Sequence, residues 1–367
     1  METVLVTGGC GFIGRHVTRE LLANGYRVKV VDSFVDQVHG GGAGENEPGV
    51  ELIRADVRDK EALVAALDGV EGVVHLAAEV GVGQSMYEIA RYVGANDLGT
   101  AVLLEALIAH PVERLVVASS MSVYGEGLYR TRDGQRADRV RRDAEAVRQR
   151  RWDPRAADGS ALVAVATDEE KPVDLASIYA LTKYVQEREV LIYGDTYGVD
   201  AVALRLFNVF GPGQALSNPY TGVLANFSSR LANAAPPLIF EDGRQQRDFV
   251  HVRDVARAFR LALEQRQAAG HVINIGSGNA YAVADIAQMV AEAMQLDIQP
   301  EIMGKARAGD IRNCFADISK ARDLLGFEPQ HRLEDSLPEL VAWVRSQGAV
   351  DRGAQMRREL EERGLVT

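Results

Sequence analysis

The sequence predicts an α/β protein with a doubly wound parallel sheet and a second, smaller mixed α/β lobe. Short apolar segments alternate with helix-like segments through the first half of the chain. Glycines and polar residues come directly after several apolar segments, at the position where ligands bind in parallel sheets. The chain has 367 residues, which is enough for one large domain and a smaller partner.

Each strand and helix is expected from its residue pattern. The predicted strands cover residues 3–6, 26–31, 50–54, 72–76, 114–119, 201–206 and 272–275. The predicted helices cover residues 16–24, 60–67, 97–109, 175–193 and 252–264. Asn96 precedes the third helix and is expected to be its N-cap. Because single helices separate the early strands, the connections are right-handed crossovers and the sheet is parallel.

The periodic pattern stops after residue 125, so residues 126–170 are predicted to be an insertion. Residues 130–155 are rich in arginine, with one charged helix expected at 137–151. One interpretation is a solvated excursion, because runs of charge usually face water. The other is a basic flap over an anionic substrate, because the insertion comes after a strand whose carboxyl end is expected to form the active site.

We expect two structural units and a tail. Residues 1–212 together with about 249–276 form a cofactor-binding domain. Residues 213–248 together with 277–345 form the substrate-binding lobe. The charged tail, residues 346–367, is expected to contain a surface helix.

Composition excludes several classes of protein. A hydrophobic fraction of 47% and a charged fraction of 25% are typical of a globular enzyme, and a net charge of −11 argues against binding to nucleic acid or to anionic membranes. Cys10 and Cys314 are the only cysteines, so we expect neither a disulfide framework nor a metal site. The sequence shows no secretory signal and no apolar run long enough to span a bilayer, so a cytoplasmic location is expected.

A glycine-rich run, Thr-Gly-Gly-Cys-Gly-Phe-Ile-Gly at residues 7–14, joins the first strand to the first helix. This order directs the free N–H groups and the positive end of a helix at one point, which suits a pyrophosphate. The second strand ends in Asp32, whose carboxylate can accept hydrogen bonds from an adenosine ribose and would repel a 2′-phosphate. The pattern therefore favours NAD over NADP; the alternative is a tight turn that binds nothing.

Tyr179 and Lys183 are four residues apart in a helical segment, which places them on one face about one turn apart. A neighbouring ammonium favours the phenolate, so Lys183 is expected to lower the pKa of Tyr179 and make it a general acid and base. Ser120 comes after the fifth strand, where its hydroxyl can share a substrate oxygen with Tyr179. The alternatives are a packed tyrosine beside a surface lysine and a serine that ends a strand.

Nine motifs in order carry a resemblance to a known family. They lie at residues 7–14, 55–59, 75–78, 96–100, 119–125, 179–183, 204–213, 246–252 and 307–310. Over residues 1 to about 345 the chain resembles the extended short-chain dehydrogenase/reductase proteins, specifically the NAD-dependent sugar-nucleotide epimerases and dehydratases. The resemblance implies a Rossmann-like fold, NAD as cofactor and a homodimer formed through helices 97–109 and 175–193.

The same resemblance implies roles for individual residues. Those expected to catalyse the reaction are Ser120, Tyr179 and Lys183. Those expected to contact NAD are Gly8, Gly11, Phe12, Ile13, Gly14, Asp32, Asp56, Val57, Leu76, Ala77, Ala78, Asn96, Ser119, Tyr179, Lys183 and Phe207. Those expected to contact a nucleotide-diphosphate sugar are Val80, Ser120, Ser122, Asn208, Gln214, Phe240, Gln245, Arg247, Arg307 and Asp310.

The two residues after Ser120 indicate the branch of the family. Dehydratases carry an Asp-Glu pair there, whereas this chain has Met121 and Ser122, which cannot serve as carboxyl acid and base. The expected reaction is inversion of C4 of a nucleotide-diphosphate hexose through a transient 4-keto sugar, with a dTDP-6-deoxyhexose resembling dTDP-L-rhamnose as substrate. The alternatives are a UDP-glucose or UDP-glucuronate 4-epimerase and a 4-ketoreductase, then a 4,6-dehydratase or a non-catalytic NAD sensor. Val80 stands where many UDP-galactose epimerases have a lysine.

Overall fold

A seven-stranded parallel sheet forms the centre of the computed structural model, which describes residues 1–39, 47–214, 222–307, 309–347, 361–364 and 366. Its strands are β1 (Thr3–Thr7), β2 (Arg27–Asp32), β3 (Glu51–Arg54), β4 (Gly72–His75), β5 (Arg114–Ser120), β6 (Asp200–Leu206) and β7 (Val272–Ile275). Their order is β7-β6-β5-β4-β1-β2-β3, and all neighbours are parallel. The predicted doubly wound α/β sheet is confirmed. The strand order reverses between β1 and β4, which opens a crevice at their carboxyl ends.

Helices cover both faces of the sheet and build the lobe. They are α1 (Phe12–Ala23), α2 (Lys60–Ala66), α3 (Ile89–Ala109), α4 (Ile178–Tyr197), α5 (Val223–Ala232), α6 (Val252–Glu264), α7 (Val283–Ala293), α8 (Ser319–Leu325) and α9 (Leu333–Ser346). Single helical turns lie at Asp36–His39, Val82–Ser85, Met121–Tyr124, Ala144–Arg148 and Arg266–Ala268. Helix α1 begins four residues before the predicted start, because the glycine-rich turn runs directly into it.

Alternate residues of the strands supply two separate cores. On β1, Val4 and Val6 pack on the side of α1 and α6, while Leu5 packs on the side of α2, α3 and α4. All three residues are fully buried, as expected for a parallel sheet covered on both faces. The apolar sequence of these strands is therefore explained by burial on both faces.

Helix α3 corrects the prediction for Asn96. The helix is continuous from Ile89 to Ala109 and contains one wide π turn at Gly94–Leu98, so Asn96 lies inside it and is not an N-cap. The predicted cap is wrong because the residues that precede Asn96 are themselves helical. By length and mean hydropathy α3 could span a membrane, but it packs on the sheet, where Leu103 and Leu107 are fully buried.

The lobe has its own core, formed by α5, α7 and α9 around residues such as Phe210, Phe227 and Phe249. Short strands join it to the rest of the chain: Asn208–Phe210 with Phe249–His251, Leu238–Ile239 with Glu301–Ile302, and Gln246–Arg247 between Tyr281–Ala282 and Asn313–Cys314. Helix α8, by contrast, packs on β7 in the core of the sheet domain. Residues 314–327, expected in the lobe, therefore contribute apolar side chains to the sheet domain, namely Cys314, Ala316, Ile318, Ala321, Leu325 and Phe327.

The insertion is a small antiparallel sheet with one short helix. Leu128–Arg130 pairs with both Arg136–Ala137 and Val163–Val165. The helix covers only Ala144–Arg148, capped by the Asp143 side chain, so the predicted helix over 137–151 is wrong in extent. The residues before this helix are not helical and make ion pairs with other parts of the chain, among them Arg141 with Asp174. The predicted surface helix of the tail lies largely outside the described residues.

Candidate active site

A cavity of about 440 Å³ lies at the carboxyl ends of the strands, between the sheet domain and the lobe. Most of the predicted cofactor residues line it: Gly8, Gly11, Phe12, Ile13, Gly14, Asp32, Asp56, Val57, Leu76, Ala77, Ala78, Ser119, Tyr179, Lys183 and Phe207. Four predicted substrate residues, Val80, Ser120, Asn208 and Gln214, also line it. The structure thus brings residues from seven distant segments of the chain to one cavity.

The glycine-rich turn leaves the start of α1 open towards the cavity. Gly8 has a φ of +69°, and a Cβ there would lie 2.9 Å from the backbone nitrogen of Ala77. A Cβ on Gly14 would lie 2.2 Å from the Gly8 carbonyl oxygen, so both positions require glycine. Helix α1 has no side-chain cap and no acidic residue in its first turn. Its free N–H groups are therefore available to an anion.

Asp32, at the end of β2, is held as an ionised acceptor. Its carboxylate accepts hydrogen bonds of 2.9 Å from the backbone N–H groups of Cys10 and Phe34, and His39 lies 3.4 Å away. Burial favours the neutral acid, but the hydrogen bonds from His39, Phe34 and Cys10 outweigh it and keep the pKa of Asp32 below its ordinary value. A carboxylate offers about four acceptor sites, so Asp32 retains capacity for ribose hydroxyls.

Asp56 comes after β3 on the same side of the cavity. Its carboxylate accepts two hydrogen bonds from the Arg58 guanidinium, at 2.8 and 2.6 Å. These bonds hold the pKa of Asp56 below its usual range. Val57 lines the wall beside this pair.

At the other end of the cavity, Tyr179 meets the end of β5. Its side chain and Ser120 line the same end of the cavity, and the Ser120 hydroxyl donates to the Ser122 hydroxyl at 3.1 Å. The position of Tyr179 is set by α4, whose first residues are fixed by the Ser177 cap and by a 3.0 Å hydrogen bond from the Tyr179 N–H to Ser85. The phenol of Tyr179 and the hydroxyl of Ser120 are therefore both available to a bound substrate at this end of the cavity.

Lys183 lies one turn further along α4 but does not act on Tyr179 as expected. Burial raises the pKa of Tyr179, and the Ser120 hydrogen bond opposes that rise. The Lys183 ammonium donates instead to Gln186 at 2.6 Å. Burial lowers the pKa of Lys183 to about 7, against the attraction of Glu187 and Asp97. The prediction that Lys183 lowers the pKa of Tyr179 is therefore wrong in this arrangement, because both groups are desolvated together.

Two predicted cofactor residues have mainly supporting contacts. The Asn96 amide is fully buried, binds the backbone N–H and C=O of Glu79 at 2.7 and 3.1 Å, and donates to Thr182 at 2.9 Å. It therefore lies behind the cavity wall and fixes the loop after β4. Ser119 lines the cavity, but its hydroxyl donates to the buried Glu187, which also binds Arg205.

Ser122 lies beside Ser120, and the other five predicted substrate residues form a second group outside the wall of this cavity. Arg307 donates two hydrogen bonds of 3.0 Å to the Asp310 carboxylate, and its guanidinium lies 4.6 Å from the centre of the Phe240 ring. The Gln245 amide donates to the Phe240 carbonyl at 2.7 Å. Arg247 donates to backbone carbonyls, among them that of Arg312 at 3.0 Å. Each cation of this group is thus held in place by groups of the lobe itself.

Sequence reasoning missed several polar residues of the cavity wall, among them His39, Glu79 and Arg91. His39 reaches Asp32, and Glu79 pairs with Arg91 at 2.7 Å. His39 lies on a single helical turn, Glu79 in a loop and Arg91 on α3, and no local sequence motif distinguishes these residues. Among the described residues, no group of three or more His, Cys, Asp or Glu side chains has the geometry to hold a metal ion.

Comparison with known proteins identifies the family. The model of the NAD dependent epimerase/dehydratase family matches residues 4–143 and 156–276. The chain belongs to the NAD dependent epimerase/dehydratase family. The segment that the family model skips, residues 144–155, lies inside the insertion.

Relatives of this epimerase/dehydratase chain agree with the family. The chain is 36% identical over 94% of its length to dTDP-L-rhamnose 4-epimerase from Burkholderia thailandensis, and it covers 95% of that protein. It is 30% identical to the structure of UDP-glucose 4-epimerase with UDP-glucose from Thermotoga maritima, with a TM-score of 0.77, covering 94% of this chain and 99% of that one. The structure of UDP-glucose 4-epimerase from Thermus thermophilus, in complex with NAD, is 30% identical, with a TM-score of 0.74. The match covers 95% of this chain and 100% of that one.

These findings confirm the predicted enzyme class, an NAD-dependent nucleotide-sugar 4-epimerase, and the predicted cofactor. The residues present fit NAD: glycines keep the turn before α1 free of side chains, and Asp32 is ionised beside it. Gly8, Gly11 and Gly14 would surround its pyrophosphate, and Asp32 its adenosine ribose.

Proposed function

We propose that this protein inverts C4 of a nucleotide-diphosphate sugar, with a dTDP-6-deoxyhexose such as dTDP-L-rhamnose as substrate. The observation that carries the proposal is the meeting of Ser120, Tyr179 and Lys183 at one end of the dinucleotide cradle. A chain that had kept the fold as an NAD sensor would not need a phenol, a hydroxyl and an ammonium together at this position.

Tyr179 and Ser120 handle the proton of the reaction. Bound NAD would supply reversible hydride chemistry at the sugar carbon. Tyr179 removes the proton from the C4 hydroxyl and gives it back, while Ser120 holds the same oxygen. Lys183, whose ammonium donates to Gln186, would hold a ribose hydroxyl of NAD when the cofactor is bound. Two opposite transfers leave the cofactor unchanged, so no external reductant is needed.

Water elimination is not supported by the residues after Ser120. Met121 is buried, and the Ser122 hydroxyl is bonded to Ser120. Neither side chain can exchange a proton as a carboxyl group does, so a 4,6-dehydratase is the weaker hypothesis.

The cavity wall favours a 6-deoxy sugar. The lobe contributes an apolar surface, formed by Val209, Phe210, Val223, Leu224 and Phe249. Such a surface suits a C6 methyl group, whereas a C6 carboxylate would lose its hydration without a matching cation. The similarity to dTDP-L-rhamnose 4-epimerase supports the same choice. UDP-glucose and UDP-glucuronate are the alternatives, since neighbouring structures include UDP-glucose and UDP-glucuronic acid 4-epimerases.

A substrate panel tests this proposal. Purified protein is incubated with dTDP-L-rhamnose, UDP-glucose or UDP-glucuronate without added NADH, and inversion at C4 is followed by NMR. We expect inversion of the dTDP-6-deoxyhexose at the highest kcat/KM. Turnover that requires stoichiometric NADH would indicate a ketoreductase, and a preference for a UDP-sugar would replace the proposed substrate.

We also propose a homodimer formed through α3 and α4. Exposed apolar side chains on the two helices include Leu98 at 53%, Ile108 at 51% and Ile192 at 57%. Leu104, also on α3, packs in the core and is not part of this exposed surface. Ile192→Glu should give a monomer in light scattering, whereas Ile302→Glu, on the lobe, should not. A monomeric wild-type protein would contradict the proposal.

A further inference from the structure

One arginine of the insertion is buried against the lobe. Arg142 has a side chain only 10% exposed. Its guanidinium lies 3.0 Å from Glu126, donates to the Glu241 carboxylate, and donates to the backbone carbonyl of Asp310. At Arg142 the insertion is therefore not exposed to solvent, and its charge is not free to meet a substrate. Instead, ion pairs and a hydrogen bond attach the insertion to the lobe.

The two lobe partners of Arg142 flank the predicted nucleotide-binding residues. Glu241 comes directly after Phe240, and Asp310 accepts both hydrogen bonds from Arg307. The Arg307 guanidinium in turn covers the Phe240 ring. Phe240, Arg307 and Asp310 thus form one unit, which we call the nucleotide clamp. Arg142 holds this clamp at two separate segments of the chain.

The attachment is a buried network of opposite charges. The Glu241 side chain is fully buried, and one of its oxygens accepts from Arg142 while the other accepts from Arg312 at 3.0 Å. Arg312 also binds Asp242 at 2.6 Å and Asp153, from the insertion, at 2.8 Å. Glu241 has a φ of +56°, a conformation that a non-glycine residue keeps only when its surroundings impose it. Loss of Arg142 would leave a buried carboxylate half paired and release this backbone.

We propose that Arg142 is a positioning residue for the nucleotide end of the substrate. Arg142 does not line the cavity; it fixes Phe240 and Arg307 in the arrangement that would receive a base and a diphosphate. A ring face and a forked cation are the groups that recognise a base and a phosphate. The inference rests on the proposed function, since it assigns the clamp to a nucleotide-diphosphate sugar.

The test compares Arg142→Ala with Arg142→Lys, and both with Arg141→Ala. Arg141 is the neighbouring exposed arginine, paired with Asp174, and is the matched control. Binding of dTDP and of UDP is measured by calorimetry, NAD affinity by fluorescence, and KM and kcat by turnover. Lysine keeps the charge of Arg142, but a single ammonium cannot reach Glu126, Glu241 and the Asp310 carbonyl together.

We expect both Arg142 variants to bind the nucleotide about tenfold or more weakly and to raise KM by the same factor, as for the loss of a charged hydrogen bond. NAD affinity and kcat at saturation should stay within about twofold of wild type, and Arg141→Ala should match wild type throughout. Should Arg142→Ala not fold, Arg142→Lys and the charge-balanced double variant Arg142→Met, Glu241→Gln decide the question.

Two outcomes are distinguishable. Folded Arg142 variants that bind dTDP or UDP as tightly as wild type would overturn the positioning role alone. A wild-type protein that binds neither dTDP nor UDP would overturn the proposed function, and this inference with it.

Discussion

The cofactor side of the site, which is the cavity, and the nucleotide side, which is the clamp, are held by different kinds of contact. On the cofactor side, the positions of the turn after β1 and of Asp32 after β2 result from parallel strands buried on both faces. On the nucleotide side, Arg142 reaches Glu241 and Asp310, which are 99 and 168 residues away in the chain. Burial of apolar strands fixes the first side, and long-range ion pairs fix the second. Single charge substitutions in or beside the clamp should therefore damage substrate recognition while leaving the cofactor site intact.

The largest effect is expected where the two sides meet. Tyr179→Phe removes the phenol that exchanges the proton, so kcat should fall by about a hundredfold or more, the usual contribution of a general acid–base. NAD content should be unchanged. Tyr92→Phe is the matched control, since Tyr92 packs edge-to-face on Tyr179 at 6.5 Å and donates only to Gln84. A Tyr179→Phe protein with near-normal turnover would contradict the proposed chemistry.

Substitution of Asp32 probes the cofactor side alone. Asp32→Ala should weaken NAD binding about ten- to hundredfold, as expected for the loss of charged hydrogen bonds. Nucleotide binding should not change. Asp36→Ala serves as control, because Asp36 is an exposed carboxylate four residues after Asp32, at the start of the next helical turn. Calorimetric titration with NAD measures the difference, and an unaltered affinity would refute the ribose assignment.

Substitution of Arg307 probes the nucleotide side alone. Arg307→Ala removes the forked donor of the clamp, so KM for the nucleotide sugar should rise about tenfold. NAD affinity should remain as in wild type. Arg322→Ala, which removes an exposed pair with Glu328, should alter neither constant. If NAD affinity fell together with substrate affinity, the cofactor side and the nucleotide side would not act independently.

The smallest effect is expected at Glu189, a half-buried carboxyl group of α4. Burial, reinforced by repulsion from Asp97, raises the pKa of Glu189 to about 7. A carboxyl whose folded pKa is raised stabilises the fold at low pH, and this stability is lost as the pH rises through about 7. Glu189→Gln should therefore raise Tm at pH 8 by on the order of 2 °C and have no such effect near pH 4.5. Thermal scans at both pH values test this; a gain of equal size at both would exclude titration as the cause. Glu105→Gln, on the exposed side of α3, is the control.

The cofactor side was predictable because its features are contiguous in sequence. A strand, a glycine turn and a helix stand together in residues 3–23, and the acid that ends the next strand is Asp32. Local backbone preferences are sufficient to place such a unit. The family resemblance then located Ser120, Tyr179 and Lys183, which the structure brings together.

The prediction failed where distant residues decide the outcome. Asn96 has the sequence signal of a helix cap, but the preceding residues continue the helix and direct its amide at Glu79. The lowered pKa of Tyr179 was argued from spacing, which does not report how deeply Lys183 is buried. The strands of the insertion are only two or three residues long, too short to show a period. The partners of Arg142 lie too far along the chain for any local pattern to reveal them.

The wide turn in α3 has a consequence for how the chain tolerates change. The wide turn at Gly94–Leu98 takes up one extra residue, so that Asn96 contacts the loop after β4 while Leu103, beyond the turn, faces the sheet. Deleting one residue inside the wide turn would restore ordinary winding and leave Leu103 facing the sheet, whereas deleting one residue after the turn, before Leu103, would rotate the rest of the helix by about 100° and carry Leu103 towards water. A change in length is therefore tolerated at the wide turn and not after it.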